Sequence, residues 1–127
     1  MQNIEVIYKG ETLFETILGN NKLQVDSSGV KGPSPPHLML ASMAACSGAL
    51  VSGYCRNTGL NAEGMTVALE FEKAEGPYRF TNFRMRINLP NVKDAAKKEA
   101  ILRVAEHCPV HETMKHYDGI KYDVVLD

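Results

Sequence analysis

From Pro33 to Cys55 the chain carries no Asp, Glu, Lys or Arg, and this gap in charge is the most informative thing it lacks. Elsewhere neither sign dominates: Lys plus Arg number 14 against 15 Asp plus Glu, a net charge of -1. With no basic excess, and no basic stripe interleaved with aromatics, the sequence offers a nucleic acid no electrostatic footprint. Cysteine is scarce as well. Three residues, far apart in sequence, do not make the disulfide framework of a small secreted domain. The first residues, Met1-Gln2-Asn3-Ile4-Glu5, lack the basic region and apolar stretch of an export signal, so a reducing cytoplasm is the expected location. Internal repeats, low-complexity tracts and linker-like stretches are missing too. The 127 residues, 44% of them hydrophobic, are expected to form a single domain, 1–127, with a real core.

What is present is strand alternation around a long apolar helix. Ile4 to Tyr8 and Thr12 to Leu18 suggest two strands around a turn at Lys9-Gly10-Glu11, and Gly19-Asn20-Asn21 turns the chain into a third, Lys22 to Asp26. In Met65 to Lys73, Met65, Val67, Leu69 and Phe71 alternate with Thr66, Ala68, Glu70 and Glu72; Phe80 to Leu89 supplies an antiparallel mate across Glu75-Gly76-Pro77. Ile120 to Leu126 is expected to be a closing strand. The pattern predicts an α+β fold in which six strands surround two helices.

In the charge-free segment Ser34 is placed to cap a helix and Pro35 to occupy its first position. Leu38, Met39, Leu40, Met43, Ala44, Cys46, Ala49, Leu50, Val51 and Tyr54 go right around the helical wheel. A helix apolar all round must be covered all round. Leu38 to Val51 is short for a membrane span, which needs about 20 predominantly apolar residues, and it is interrupted by Ser42 and Ser47. No membrane partner is expected; a second subunit packing through Ala41, Ala44, Ala45, Gly48 and Ala49 is the better cover. A second helix is expected from about Val92 to His107, with Val92, Ala96, Ile101, Val104, Ala105 and Cys108 on one face. Pro109 must end, kink or restart it, and a short further piece, Pro109 to His116, leads to Asp118-Gly119.

The chemistry-bearing residues are few. Cys46 lies mid-helix, where a lone Cys is ordinarily a small apolar core residue. Cys55, nine positions on, faces the opposite way and cannot pair with it. Cys108 either completes the apolar face of the second helix or caps the helical turn begun by Pro109, where free N–H groups favour a thiolate. His107, His111 and His116 flank it. His111-Glu112 with His116 is not a metalloprotease pattern, because the second His falls five positions on, and Pro109 disturbs a His107/His111 pair, so no metal is expected. The glycines lack phosphate-loop spacing, and Ser42, Ser47 and Ser52 have no sequence sign of a base.

Two segments together resemble a known family. Gly32-Pro33-Ser34-Pro35-Pro36-His37-Leu38-Met39-Leu40-Ala41-Ser42-Met43-Ala44-Ala45-Cys46-Ser47 is similar to the Cys-bearing central helix of OsmC/Ohr proteins, and Glu106-His107-Cys108-Pro109-Val110 to their second Cys-Pro element. The order βββ-α-ββ-α-β also agrees. The resemblance implies a swapped homodimer with a long buried central helix and two sites at the subunit interface. It implies an oxidative-stress role as a thiol-dependent peroxidase for organic hydroperoxides or hydrogen peroxide, with no cofactor. Cys46 would attack the peroxide, Cys108 would resolve the sulfenic acid as a disulfide, and a dithiol such as a lipoyl group would reduce it. His37 and Met43 are the candidate substrate-binding residues.

The family's peroxidases hold the first Cys as thiolate with an N-terminal Arg fixed by a carboxylate near the helix start. Here no Arg precedes Arg56, and Pro36 and His37 occupy the acidic slots. Lys9, Lys22 and Lys31 are the remaining positive charges, without the planar fork of an Arg; His37 is a candidate substitute or a simple cap neighbour. The chain resembles a divergent branch. The competing expectation is a non-catalytic relative binding a small hydrophobic ligand at the dimer interface.

Overall fold

The computed structural model describes residues 3–126; Met1 and Gln2, part of the N-terminal stretch read above, and Asp127 lie outside the described residues. The chain forms two compact units, Met1–Ser42 and Met43–Asp127.

The first unit is an antiparallel sheet in the order β1-β2-β3 (Glu5–Tyr8, Leu13–Leu18, Asn21–Asp26) followed by the first turns of helix α1 (Pro35–Thr58). Gly10 (φ 103°) and Glu11 (φ 52°) take left-handed conformations at the first turn, and the register runs Tyr8 opposite Phe14 and Leu18 opposite Asn21. Asp26 ends β3 and organises the loop after it. Its nearly inaccessible carboxylate accepts hydrogen bonds from the Thr12 hydroxyl (2.7 Å), the Ser28 N–H and hydroxyl (2.9 and 2.7 Å) and the Lys31 N–H (2.9 Å). The returning loop lies so close to β3 that a Cβ on Gly32 would stand 2.6 Å from the Gln24 carbonyl oxygen.

The second unit holds the rest of α1, the antiparallel hairpin β4 (Thr66–Ala74) and β5 (Arg79–Asn88), and helices α2 (Lys98–Glu106) and α3 (Pro109–Lys115). Val51 and Cys55 of α1 are buried with Ile101 and Ala105 of α2, flanked by Met65, Ile87 and Leu89. Ser47, Val51 and Cys55 recur at the four-residue spacing that puts them on one helix face. Gly48 lets that face approach β4, since a Cβ there would come to 3.2 Å from Val67 Cγ2. Ala45 and Ala49, on the other side, are exposed.

Three expectations change. The closing strand over 120–126 does not form among the described residues: the segment has no regular structure and Ile120, Tyr122, Val124 and Leu126 are exposed. A strand needs a neighbour for its N–H and C=O groups, and this segment has no ladder partner here. The second helix starts later than Val92. Asp94 caps a 3-10 turn, Ala95–Lys97, by accepting from the Ala96 N–H at 3.0 Å, and α2 follows at Lys98; Val92 closes a turn onto the Leu89 carbonyl instead. Finally, α1 has 24 residues and an 18-residue window of mean hydropathy 1.5, so by length and composition it is long and apolar enough to cross a membrane. The argument from a short apolar stretch therefore fails; what marks α1 as a core helix is its buried stripe against α2.

Candidate functional site

Pro109 is the feature that shapes the site. Lacking an N–H, it cannot continue α2; the chain turns through Cys108 in an extended conformation (φ -80°, ψ 147°) and restarts as α3 with Pro109 in its first turn. This makes Cys108 the N-cap of α3, and its sulfur accepts a hydrogen bond from the His111 N–H at 3.2 Å. Of the two sequence readings of Cys108, apolar face or cap, the structure combines both: the side chain is 1% exposed and capping.

Across from it, α1 brings Cys46 and Ser47. The half-buried Cys46 is near enough to Cys108 to help lower its pKa. Two sulfurs 62 positions apart in sequence (108 minus 46) are thus neighbours, both as free thiols. Burial pushes the Cys108 thiol up, but hydrogen bonds from the His111 N–H, the Cys46 and Ser47 side chains and the Val110 N–H outweigh it, and the pKa falls below its ordinary value. Ser47 has a single hydroxyl proton and gives it to the Ala105 carbonyl at 3.0 Å, so the fixed donor to the Cys108 sulfur is the His111 N–H.

Beside Cys108 lies an apolar cavity of about 390 Å³, lined by Met43, Leu69, Phe83, Met85, Ile87 and Leu102 among others, with Glu106 and His111 as its charged or titratable neighbours. Met43 is therefore at the cavity. His37 is not among the residues lining it; at the start of α1 its Nδ1 is 2.7 Å from the Ser34 hydroxyl. Cys55 sits fully buried in the core. The other histidines are engaged separately, His107 Nδ1 donating to the Arg103 carbonyl at 2.6 Å and His116 lying 3.4 Å from Glu112.

Sequence reasoning missed the cavity wall contributed by β4 and β5 and the place of Ser47. Alternation identified Leu69, Phe83, Met85 and Ile87 as one-faced strand residues, but nothing local shows which helix that face covers. An apolar cavity beside Cys108, whose thiol is held toward the charged form with Cys46 nearby, suits two-electron sulfur chemistry on an apolar substrate.

Comparison with known proteins agrees with this geometry. The family model for OsmC-like protein matches residues 26–123. Among solved structures, a putative osmotic stress induced and detoxification response protein from Psychrobacter arcticus superposes with a TM-score of 0.76 at 21% identity, over 89% of this chain and 88% of that one. An OsmC-like protein from Mycoplasma pneumoniae gives 0.72 at 19% identity, over 91% and 87%. The organic hydroperoxide resistance protein OhrB of Bacillus subtilis gives 0.61 at 18% identity, over 91% and 93%. No curated protein sequence matches the chain.

Proposed function

The chain belongs to the OsmC/Ohr family, and from that premise we propose that it is a thiol-dependent peroxidase of organic hydroperoxides whose redox couple is Cys46 and Cys108. The observation that carries the proposal is the capped, buried Cys108 at the wall of the apolar cavity, with Cys46 near enough on α1 to influence its ionisation. An alkyl hydroperoxide has an apolar body and a reactive O–O group, and the cavity offers it a greasy wall with a nucleophile at one end. One sulfur attacks the peroxide, an alcohol leaves, and the other sulfur traps the sulfenic acid as a disulfide before further oxidation. A small external dithiol then restores both thiols by exchange. The working unit is a homodimer in a reducing, cytoplasmic setting, the second copy covering the exposed side of α1.

The test is a thiol titration before and after one equivalent of cumene hydroperoxide. Loss of two thiols, with peptide mapping showing a Cys46–Cys108 link, is the expected result. Unchanged Cys46 and Cys108 would end the enzymatic reading and favour a protein that holds a hydrophobic ligand in the same cavity.

A further inference from the structure

We propose that the His111 side chain is the proton carrier of the disulfide-closing step. It takes the proton that the Cys108 thiol gives up as that sulfur attacks the sulfenic acid of Cys46, and hands it to the departing hydroxide. The inference deepens the peroxidase reading above and rests on it, with Cys46 attacking the peroxide first.

The position of His111 follows from the helix restart. Cys108 caps α3, and His111 is its third residue, so the bond from its N–H to the Cys108 sulfur at 3.2 Å ties residue and sulfur together. Its exposed side chain lines the same cavity as Cys108. Among the described residues the other three histidine rings are engaged: His37 with the Ser34 hydroxyl, His107 with the Arg103 carbonyl and His116 with Glu112. The His111 ring makes no such bond and is free to exchange a proton.

Few other groups at the cavity could do so. Helix α1 contributes Met43 and Ser47, whose hydroxyl proton is committed to the Ala105 carbonyl, and β4 and β5 contribute only apolar side chains. Helix α2 contributes Glu106. On α3 itself Glu112 lies 3.4 Å from His116, and Lys115 follows His111 by one turn. Histidine is the side chain whose ordinary charge change falls between about pH 5 and 8, which suits it to take up and release a proton near neutrality.

The backbone cap leaves work for the ring. The His111 N–H supports negative charge on the Cys108 sulfur, but it cannot accept the proton that sulfur sheds. In the closing step the Cys108 sulfur forms the S–S bond to Cys46 as the S–O bond of the sulfenic acid breaks, and hydroxide leaves with the bonding pair. The imidazole holds the Cys108 proton meanwhile and delivers it to the hydroxide, which departs as water. The two electrons have already gone to the peroxide, and an external dithiol later replaces them.

His111→Gln separates ring from cap, because every residue except proline keeps the backbone N–H. His111→Ala serves as the second variant should the first fold poorly. Single turnovers with one equivalent of cumene hydroperoxide, quenched at intervals and mapped by mass spectrometry, follow oxidation of Cys46 and appearance of the Cys46–Cys108 disulfide separately. In the variant, closure is expected to be at least about tenfold slower, and dimedone is expected to trap more sulfenic acid on Cys46. Free imidazole in the buffer should restore closure, since the ring it replaces is exposed. The pH profile of closure should lose a limb between about pH 5 and 8 that the wild type and Glu106→Gln both keep. Closure as fast as in the wild type, a slowed closure that imidazole leaves slow, or a limb that vanishes with Glu106 instead overturns the role of the ring and leaves the peroxidase reading standing. A wild-type protein whose Cys46 and Cys108 are never joined by peroxide overturns both.

Discussion

Pro109 has no N–H to offer the carbonyl four residues before it, that of Ala105, and Ser47 supplies the missing donor at 3.0 Å from a buried position on α1. A buried carbonyl without a partner costs about 1–3 kcal/mol. Ser47→Ala is accordingly expected to lower stability by about that amount in urea unfolding, whereas Ser52→Ala, whose hydroxyl bonds the Ala49 carbonyl in its own exposed helix turn, changes it little. Equal effects of the two would remove Ser47 from the account. Asp26 gives the second expectation at this scale. The hydrogen bonds from the Thr12 hydroxyl, the Lys31 N–H and Ser28 hold its carboxyl well below the usual carboxylate range, against the opposing effect of burial. A depressed folded-state pKa means the stabilisation is fully present above the unfolded value of about 3.9 and is lost as pH falls below it toward the folded one. The stability gap between wild type and Asp26→Asn should therefore be widest near neutral pH and shrink below about pH 4; a gap independent of pH across that range would show that shape rather than charge is what Asp26 provides. Neither role was legible in the sequence. Ser47 stood beside Cys46 as one hydroxyl on an apolar helix, and its partner lies 58 residues away. Cys46 and Cys108 could be picked out by their positions around Pro33 to Cys55 and Pro109, but their contact could be expected only through the family resemblance.

Elements were legible where one-dimensional periodicity is itself the cause. Strands β1 to β5 fall within a residue or two of the alternation in the sequence, which in β4 follows directly from one half-buried face and one exposed face. The start of the second helix was not, since Val92 and Ala96 have helical spacing while Asp94 between them is a better cap than helix-interior residue. The cavity wall of β4 and β5 was invisible for a related reason: periodicity shows that a face is covered, never by what. Gly32 is a case where the sequence showed a residue and the structure its reason. The loop leaving β3 passes the Gln24 carbonyl so closely that a methyl group would sit 2.6 Å from a backbone oxygen that cannot swing away. Gly32→Ala is expected to cost about 1–3 kcal/mol, the usual cost of overpacking, read as a lower midpoint in urea. A Gly10→Ala control tests a different effect, because Gly10 has φ 103° and nothing within 4 Å of the added atom. An unperturbed Gly32→Ala midpoint would mean that the loop does not hold this close approach in solution.

At the scale of the whole molecule the unmet demands of the chain lie in two places. Helix α1 buries Ser47, Gly48, Val51 and Cys55 but leaves Ala45 and Ala49 open, although it carries no charge before Arg56 in its last turn. The segment 120–126 puts Ile120, Tyr122, Val124 and Leu126 at strand spacing, yet these four are 62%, 86%, 75% and 85% exposed. Together they present apolar surface in excess of what an isolated small protein usually leaves in water. The strand signal in 120–126 was correctly read as a pattern but not as a pairing within one chain, since alternation fixes which face is apolar and not which edge accepts the ladder. Both demands are met at once if a second copy packs on the open side of α1 and offers a sheet edge to the C-terminal segment, which is the swapped homodimer that the family resemblance implies. Sedimentation velocity at micromolar concentration should then give twice the 14.0 kDa chain mass. Removing residues 120–127 should raise the dimer dissociation constant at least about tenfold, or 1.4 kcal/mol, and should also slow the reaction with peroxide if the partner helps to close the cavity. A wild-type chain that sediments at its single-chain mass, or a truncated one that dimerises as tightly as before, would leave the exposed strand-patterned segment without the partner argued for it.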